Sequence, residues 1–344
     1  MKVFITRLIP DRGISLLKGR GYEVVVSTKD GVLNKDELIA ALKGKNYDAV
    51  LCLLTDKIDA DVFAAVGPQC KIFANYAVGF DNIDLKTTQS RGVMITNTPD
   101  VLTETVAEHT FALMISMAHR IVEADKFMRA GKYTGWAPML LLGDDIARKT
   151  LGVVGLGRIG SRVAYHAVKG FDMKVVYYDP KRNEEFERQF SAQGGSASGG
   201  EKDFGTVYTP NLDDLLKQAD FVSIHVPLLP ATHHLINAQK LNLMKRTAYL
   251  INTSRGPIVD EAALAIALRQ RIIKGAAIDV FENEPQMHPM LKDLDNIIVT
   301  PHIASATEET RQKMGEVAAK NIIEALEGRT PPNLVKDAAA NRRA

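Results

Sequence analysis

Short apolar runs alternate with segments of helical spacing along most of this 344-residue chain. Before residue 100, the runs are short enough for buried strands, and the segments between them repeat apolar side chains every three or four positions. This alternation predicts βα units, and therefore a parallel sheet that helices cover on both faces. The predicted strands are 3–6, 22–26, 49–53, 72–76 and 93–96, and the predicted helices include 14–18, 35–42 and 60–65.

One longer stretch, 103–130, predicts a single long helix. Thr105 and Glu108 have the spacing of a capping box at its start, and apolar residues recur along one face. We expect this helix to connect two α/β halves. The second half contains predicted strands at 221–226, 248–252, 276–280 and 297–300. Ser305 and Glu308 again have capping-box spacing and predict the start of a last helix.

The most informative stretch is 149–179. It contains a buried strand, the motif Gly155-x-Gly157-x-x-Gly160, a segment of helical spacing and a second strand that ends at Asp179. This order is the fingerprint of a dinucleotide-binding fold. The first glycine permits a tight turn, the second lets the backbone approach a pyrophosphate, and the third lets the helix pack on the strand. We therefore predict a Rossmann-type NAD-binding domain.

Two further features define the predicted cofactor site. The helix after the glycines begins near Arg158 and Ile159, where its unpaired N–H groups can bind phosphate. Asp179 follows the third glycine by 19 residues, close to the spacing of about 20 residues expected of a carboxylate that binds the ribose hydroxyls. Its negative charge favours NAD, because a 2′-phosphate would be repelled. Lys181 and Arg182 could neutralise such a phosphate, so NADP remains an alternative.

Composition argues against several classes of protein. The 43 basic and 41 acidic side chains are interspersed, so neither nucleic acid nor an anionic membrane is an expected partner. Cys52 and Cys70 are too few for a disulfide framework and are expected to be reduced. Neither a signal-peptide core nor a run of membrane-spanning length is evident. We expect a cytoplasmic protein with a flexible Gly- and Ser-rich insertion at 191–205 and a disordered tail at 336–344.

Three polar side chains follow three of the strands predicted in the second half, namely Arg255, Glu284 and His302. Ligands of open α/β sheets bind beyond the carboxyl ends of the strands, so these side chains are expected to converge. Arg255 can hold the carboxylate and oxo oxygen of a 2-oxo acid through its planar fork. His302, as imidazolium, can protonate the alkoxide that forms when hydride arrives from the cofactor, while Glu284 stabilises the charge of the ring.

Together these motifs resemble those of the D-isomer specific 2-hydroxyacid dehydrogenase family. The likeness covers nearly the whole chain and includes N-Y-A-V-G-F-D-N-I-D at 75–84, T-V-A-E-H-T at 105–110 and H-V-P-L-L-P-A-T-H-H-L at 225–235. Within the family the chain most resembles glyoxylate and hydroxypyruvate reductases, because G-W-A-P-M at 135–139 is similar to their tryptophan-bearing loop. The resemblance implies NADH-dependent reduction of a small 2-oxo acid, glyoxylate or hydroxypyruvate, to glycolate or D-glycerate.

The resemblance also implies an architecture and a set of site residues. Residues 1–100 and 301–335 would form a smaller, flavodoxin-like α/β substrate domain, 101–300 would form the Rossmann domain, and the long helix with the loop after it would build a homodimer. Arg255, Glu284 and His302 are implied as catalytic. Substrate contacts are implied for Leu54, Val78, Gly79, Trp136 and Arg255. Cofactor contacts are implied for Thr105, Gly155, Gly157, Arg158, Ile159, Gly160, Asp179, His225, Val226, Pro227, Thr232, Thr253, Ser254, Asp279, His302 and Ala304.

Other interpretations stay open at this point. D-lactate, D-2-hydroxyisocaproate and D-3-phosphoglycerate dehydrogenases resemble the chain as well, although the longer phosphoglycerate enzymes carry a C-terminal domain that we do not expect here. An NAD-sensing corepressor is an alternative of another class, since such proteins keep the catalytic residues. Trp136 could narrow the substrate pocket or pack within the dimer.

No metal site is predicted from the histidines. His109, His119 and His166 lie in helical segments, where histidines are more often packing or surface residues than ligands. His233 and His234 are adjacent, and the side chains of adjacent residues are expected to point apart.

Overall fold

The computed structural model describes residues 1–190 and 205–335. Of the predicted flexible insertion only Gly205 lies within this range, and the predicted disordered tail lies outside it. The chain divides into two compact units. One consists of Met1–Leu102 and the segment that begins at Ala306, and the other of Thr103–Ser305. The predicted boundaries, 100 and 300, lie within five residues of this division.

Parallel strands alternate with helices in both units. The strands are β1 (Lys2–Ile5), β2 (Glu23–Val26), β3 (Ala49–Leu53), β4 (Ile72–Tyr76), β5 (Met94–Thr96), β6 (Thr150–Val154), β7 (Lys174–Tyr178), β8 (Thr206–Tyr208), β9 (Phe221–Ile224), β10 (Tyr249–Asn252), β11 (Gly275–Ile278) and β12 (Ile297–Val299). The helices are α1 (Asp11–Gly19), α2 (Lys35–Leu42), α3 (Ala60–Val66), α4 (Leu85–Arg91), α5 (Thr103–Ala118), α6 (Ile121–Arg129), α7 (Arg158–Phe171), α8 (Glu184–Phe190), α9 (Leu212–Gln218), α10 (Ala238–Leu243), α11 (Glu261–Arg269) and α12 (Glu308–Leu326). Short 3₁₀ turns occupy Gly256–Ile258 and Pro289–Leu291.

The first unit is built on a five-stranded parallel sheet in the order β2-β1-β3-β4-β5. This is the strand order of flavodoxin-like folds. Its central strands read as continuous apolar runs because helices cover both faces. Phe73 of β4 packs edge-on against Phe63 of α3, with ring centroids 5.0 Å apart, and both are fully buried. Helix α12 also belongs to this unit, where it packs against α1 and β4.

The second unit contains a seven-stranded parallel sheet in the order β12-β11-β10-β9-β6-β7-β8. Chain order reverses between β6 and β9, which is the topological switch point of a Rossmann fold. Each face of the sheet is covered by its own apolar core, because successive side chains of a strand point to opposite faces. Val154 and Leu250 belong to one core, and Val153 and Ile251 belong to the other. The predicted fold class is therefore confirmed.

The single long helix predicted at 103–130 is wrong. The chain forms two helices, α5 and α6, because Arg120 adopts a left-handed conformation with φ of 56°. The Arg120 guanidinium stabilises this break. It donates hydrogen bonds to both carboxylate oxygens of Glu123, at 2.8 and 2.7 Å, and to the Leu142 carbonyl. The pattern of apolar residues continues through the break, so periodicity alone could not reveal it.

Both predicted capping boxes are also wrong. Thr105 lies inside α5, which begins at Thr103. The N-cap of α12 is Thr307, not Ser305, and its hydroxyl accepts a hydrogen bond from the Thr310 N–H at 3.3 Å. Four short elements, α4, α8, α10 and β8, were not predicted from the sequence.

The two cysteines are free and buried. Burial raises the pKa of the Cys70 thiol to about 12, so this thiol stays protonated and unreactive at neutral pH. Among the described residues, no helix combines the length and apolar character needed to cross a membrane.

Candidate active site

The glycine motif forms the tight turn between β6 and α7. Gly155 has φ of 96°, a conformation that only glycine adopts without strain. A Cβ on Gly160 would lie 2.0 Å from the Gly155 carbonyl oxygen, so this glycine allows the helix to pack against the turn. A Cβ on Gly157, by contrast, would meet no atom within 4 Å. Space therefore lies in front of the Gly157 backbone, where the motif requires the pyrophosphate to approach.

The N-terminus of α7 suits an anion. Gly157 is its N-cap residue and provides no side-chain cap to the first N–H groups of the helix. Arg158 and Ile159 begin the helix, and the Arg158 side chain is exposed. Uncapped N–H groups and the positive end of the helix dipole bind phosphate groups. The turn therefore fits the pyrophosphate of a dinucleotide.

Asp179 follows β7 and faces the glycine turn. Its carboxylate oxygens accept hydrogen bonds from the Leu156 N–H at 2.9 Å and from the Lys181 N–H at 3.0 Å. These bonds fix the carboxylate and leave each oxygen a further lone pair for a ribose hydroxyl. Arg182 instead pairs with Glu187, through Nε at 2.9 Å and Nη2 at 2.7 Å. The hydrogen bonds and, to a lesser extent, the charge of Arg182 lower the pKa of Glu187, which keeps that carboxylate ionised.

Most of the other predicted cofactor residues lie after β9 and β10 or on α5. His225 and Val226 follow β9, and desolvation lowers the pKa of His225 to about 3, so its ring is neutral. The Thr232 hydroxyl donates to the Pro227 carbonyl at 2.6 Å and holds this segment in a turn. After β10, the Ser254 hydroxyl donates to the Val226 carbonyl and joins the two strand ends.

Two further predicted cofactor threonines, Thr253 and Thr105, lie in the same unit. Thr253 is buried after β10, and its hydroxyl lies 3.0 Å from that of Thr110 on α5. Thr105 lies on the first turns of the same helix and is partly exposed.

Asp279 organises the carboxyl ends of β11 and β12. Its side chain is fully buried and accepts hydrogen bonds from the Thr300 hydroxyl at 2.6 Å and from the N–H groups of Ile303 and Ala304 at 2.8 and 2.7 Å. Burial alone would raise the pKa of Asp279, but these bonds and the His109 ring outweigh it and lower the pKa. The carboxylate is therefore ionised and joins the segments that follow β11 and β12.

His109 is the residue of this network that the sequence analysis missed. Its Nε2 lies 3.7 Å from the Asp279 carboxylate and 3.4 Å from the Thr300 hydroxyl. His109 therefore takes part in a polar network that its helical position alone did not predict. Its place in the T-V-A-E-H-T motif at 105–110 was the signal available in the sequence. His166, on α7, likewise has a partner, since its Nε2 lies 2.6 Å from Glu104 of α5.

His302 and Glu284 form a histidine–carboxylate pair. His302 Nδ1 lies 2.9 Å from Glu284 Oε2, and the two side chains are 26% and 31% exposed. His302 adopts φ of 54°, a left-handed conformation, and its N–H donates to the Asp279 carbonyl at 2.8 Å. Burial by itself would raise the pKa of Glu284. The hydrogen bond and charge of His302 outweigh this effect, and the Phe281 N–H and the charge of Arg255 add to them, so the pKa is lowered overall. The glutamate is therefore ionised beside the ring.

Arg255 lies on the neighbouring strand end. It follows β10, which pairs with β11, and β11 in turn pairs with β12. Its Nη1 donates to the Ser254 carbonyl at 2.8 Å, and the side chain is half-buried. The structure thus places Arg255, Glu284 and His302 on the ends of three consecutive strands, and the charge of Arg255 acts on Glu284.

The remaining predicted substrate residues lie elsewhere. Leu54, Val78 and Gly79 belong to the first unit and follow β3 and β4. The Val78 carbonyl accepts from the Asn97 amide and the Gly79 carbonyl accepts from the Asn75 amide, both at 2.8 Å. These bonds fix the loop conformation. Trp136 lies in the second unit, in the loop after α6, and is 82% exposed.

The adjacent histidines do not behave as predicted. His234 adopts φ of 49°, and its ring stacks on that of His233 with centroids 4.1 Å apart. The expectation that the two side chains point apart is therefore wrong, because the left-handed conformation turns both rings to the same side. His234 Nε2 also lies 2.8 Å from Glu282 Oε1.

A Rossmann nucleotide site beside a histidine–glutamate pair defines the chain as a dinucleotide-binding oxidoreductase. The family model of the D-isomer specific 2-hydroxyacid dehydrogenase NAD-binding domain matches residues 111–304 of this chain. A glyoxylate reductase from Korarchaeum cryptofilum (strain OPF8) is 47% identical over 97% of this chain and 95% of its own. The chain belongs to the D-isomer specific 2-hydroxyacid dehydrogenase family. The predicted family, enzyme class and cofactor class are confirmed.

Two solved structures are similar over almost their whole length. The NADPH-dependent glyoxylate/hydroxypyruvate reductase from Sinorhizobium meliloti, in complex with citrate, is 28% identical with a TM-score of 0.80 and covers 97% of each chain. D-lactate dehydrogenase from Aquifex aeolicus, complexed with NAD and lactic acid, is 29% identical with a TM-score of 0.80 and covers 97% of this chain and 99% of its own.

Two of the three glycines, Gly157 and Gly160, are expected to respond differently to substitution by alanine. Gly157→Ala should leave the Tm of the cofactor-free protein unchanged, since its Cβ meets only open space, but weaken NADH binding by about tenfold or more, because the methyl group would obstruct the pyrophosphate. Gly160→Ala is the matched comparison and should lower the Tm as well. Fluorescence titration with NADH and thermal unfolding measure the two effects. Unchanged NADH affinity in Gly157→Ala would contradict the predicted position of the pyrophosphate.

Proposed function

We propose that this chain uses NADH to reduce glyoxylate or hydroxypyruvate to glycolate or D-glycerate. The observation that carries the proposal is the 2.9 Å contact between His302 and Glu284, on strand ends next to that of Arg255. A histidine backed by a carboxylate is suited to deliver a proton to an oxygen atom. The names of the glyoxylate reductases to which the chain is similar support these substrates. The similarity to D-lactate dehydrogenase supports pyruvate as the alternative.

In this proposal the dinucleotide, when bound, supplies the hydride to the carbonyl carbon. Arg255 binds the substrate carboxylate, because a planar guanidinium matches the two carboxylate oxygens. His302 donates its proton to the substrate oxygen from Nε2, since its Nδ1 faces Glu284. In the reverse direction neutral His302 accepts the proton from the hydroxyl group.

Glu284 and Asp279 have supporting roles in the same proposal. The ionised carboxylate of Glu284 stabilises the imidazolium form of His302 and fixes the plane of the ring. Asp279 accepts bonds from the backbone on the C-terminal side of His302 and holds the loop that carries it. Neither carboxylate needs to transfer a proton itself.

We also propose the remaining site assignments. Leu54, Val78, Gly79 and Trp136 contact the substrate, and the unit that contains β1 to β5 is the substrate-binding domain. In the described part of the chain, the N–H groups of Val78 and Gly79 have no hydrogen-bond acceptor, which supports a role in binding a carboxylate. The predicted cofactor residues Thr105, Thr232 and Thr253 keep the roles implied by the resemblance.

The preference for NADH over NADPH is supported by the surroundings of Asp179. Its carboxylate is fixed beside the glycine turn, where it favours ribose hydroxyls and disfavours a 2′-phosphate. Arg182 would be the natural partner of that phosphate, but Glu187 holds its guanidinium in a bidentate pair. Lys181 is exposed on the turn. The similar S. meliloti enzyme is NADPH-dependent, so the cofactor preference can differ between members of the family.

A homodimer is supported by the second unit. Apolar side chains are exposed along α6 and the loop after it, namely Ile121, Val122, Met128, Tyr133, Trp136, Met139, Leu140 and Leu142. No side chain of α6 is buried within the chain. An apolar stretch of this kind is typical of an interface between subunits. The buried, unpaired cysteines support a reducing compartment such as the cytoplasm.

The substrate preference is tested by NADH oxidation with glyoxylate, hydroxypyruvate, pyruvate and 2-oxoisocaproate. We expect the highest kcat/KM with glyoxylate or hydroxypyruvate, since both are small 2-oxo acids that Arg255 can bind. A higher kcat/KM with pyruvate or the branched acid would assign the chain to another branch of the family. Tight NADH binding without turnover of any of the four would contradict the proposed reaction.

The proton donor is tested by two variants. His302→Asn should retain NADH affinity but lower kcat by about 10³-fold, the usual contribution of a general acid. Glu284→Gln should keep more activity than His302→Asn. It should also move the alkaline limb of the pH profile for reduction to lower pH. The reason is that Glu284, whose pKa is lowered, carries a negative charge beside His302, and glutamine lacks that charge. Steady-state kinetics across pH measure both effects. Wild-type turnover in His302→Asn would rule out the proposed donor.

The cofactor preference is tested at Glu187. Glu187→Gln should release Arg182 and raise the NADPH/NADH ratio of kcat/KM by about tenfold, the factor that corresponds to one charge-assisted hydrogen bond. Glu185→Gln is the matched control, since it removes the same charge from an exposed position on the same helix. Equal ratios in the two variants would show that the pair between Arg182 and Glu187 does not affect selectivity.

A further inference from the structure

Two imidazole rings and a carboxylate meet outside the proposed catalytic pair. His233 and His234 follow the turn at Thr232, and their rings are stacked at 4.1 Å between centroids with 30° between the planes. Adjacent residues place their side chains together only in an unusual backbone conformation, and His234 has φ of 49°. The backbone of this turn is fixed, because the N–H of His234 donates to the Pro257 carbonyl at 2.8 Å and that of His233 to the Leu229 carbonyl at 3.0 Å.

Glu282 supplies the third group. Its Oε1 lies 2.8 Å from His234 Nε2, and one donor atom from each of the three residues lies within 4.8 Å of the others. The second oxygen of Glu282 accepts from the Glu261 N–H at 3.3 Å. The backbone N–H of Glu282 donates in return to the Glu261 carboxylate, which also accepts from the His288 N–H at 3.0 Å. The carboxylate of Glu282 is therefore oriented by groups behind it, as the ligands of metal sites are.

We propose that His233, His234 and Glu282 bind a divalent transition-metal ion, with Zn²⁺ as the best match. Imidazole nitrogen and carboxylate oxygen are ligands of zinc, which binds both at about 2.0 to 2.2 Å. An ion between His234 and Glu282 would replace their hydrogen bond without a large change in either side chain. His233 is exposed and can rotate to complete the set, and the open side leaves a fourth position for water or another small ligand.

The chemistry of the cluster selects the kind of metal. Two nitrogen ligands favour Zn²⁺, Ni²⁺ or Cu²⁺ over Mg²⁺ and Ca²⁺, which prefer oxygen ligands alone. An ion pair between His234 and Glu282 would explain one contact but would leave the stacked ring of His233 without a role. A metal ion uses all three groups.

The site joins two segments that border the proposed catalytic centre. His233 and His234 lie in the segment after β9, next to Thr232, and Glu282 lies in the segment after β11, two residues before Glu284. A bound ion would connect these segments and stabilise the NAD-binding unit, since a ligand that binds only the folded state adds its binding free energy to stability. This binding does not depend on the proposed substrate or on turnover.

The test is isothermal titration of the chelator-treated, tag-free protein with ZnCl₂, together with its Tm with and without the ion. We expect one Zn²⁺ per chain, a rise in Tm, and no comparable binding of Mg²⁺. His233→Gln, His234→Gln and Glu282→Gln should each weaken the binding by about tenfold or more. His233→Gln is the most informative of these, because its exposed side chain can be replaced without loss of the bond between His234 and Glu282.

Two controls make the result specific. His119→Gln removes another exposed histidine of the same unit and should bind Zn²⁺ as the wild type does. His302→Gln should also retain binding, which separates this site from the pair of His302 and Glu284. Wild-type affinity in His233→Gln, or loss of binding in His302→Gln alone, would overturn the proposal, as would a wild-type chain that binds no Zn²⁺.

Discussion

The buried carboxylate of Asp279 is the constraint on which the catalytic end of the sheet depends. A charged group with no exposure is stable in a protein only when its oxygens are bonded, and Asp279 has the Thr300 hydroxyl and two backbone N–H groups. Those N–H groups belong to the residues directly after His302. The carboxylate thus fixes the path of the chain after β12, and with it the direction in which His302 faces. The position of the proposed proton donor therefore follows from a buried charge at the neighbouring strand end.

Two residues near the same strand ends have strained backbone. His302 and His234 both adopt a left-handed conformation, with φ of 54° and 49°, which costs a residue with a side chain about 1 to 2 kcal/mol. Each is held by a backbone hydrogen bond to a neighbouring segment, His302 to Asp279 and His234 to Pro257. The strain brings one ring to Glu284 and the other to Glu282. Two histidine–glutamate pairs therefore arise from the segment after β11, one for the proposed reaction and one for the proposed metal site.

Much of the candidate site could be predicted because a parallel sheet restricts where its strand ends lie. Arg255, Glu284 and His302 are far apart in sequence, yet each follows a strand, and β10, β11 and β12 are neighbours in the sheet. The glycine motif was predictable for a similar reason, since its spacing encodes a local turn that needs no distant partner. The break at Arg120 was not predictable in this way, because hydrogen bonds to Glu123 and Leu142 hold a conformation that the apolar pattern does not require.

The sequence by itself determined the class of fold, the cofactor class and the three polar residues at the strand ends, because these depend on periodicity, glycine spacing and the order of strands along the chain. The tertiary structure alone decided which side chains are bonded to which. In the folded chain, His109 lies beside Asp279 and Arg182 is paired with Glu187. The rings of His233 and His234 lie close to Glu282. The physical reason is that such contacts depend on side-chain direction and local backbone conformation, which are fixed only when separate elements pack together.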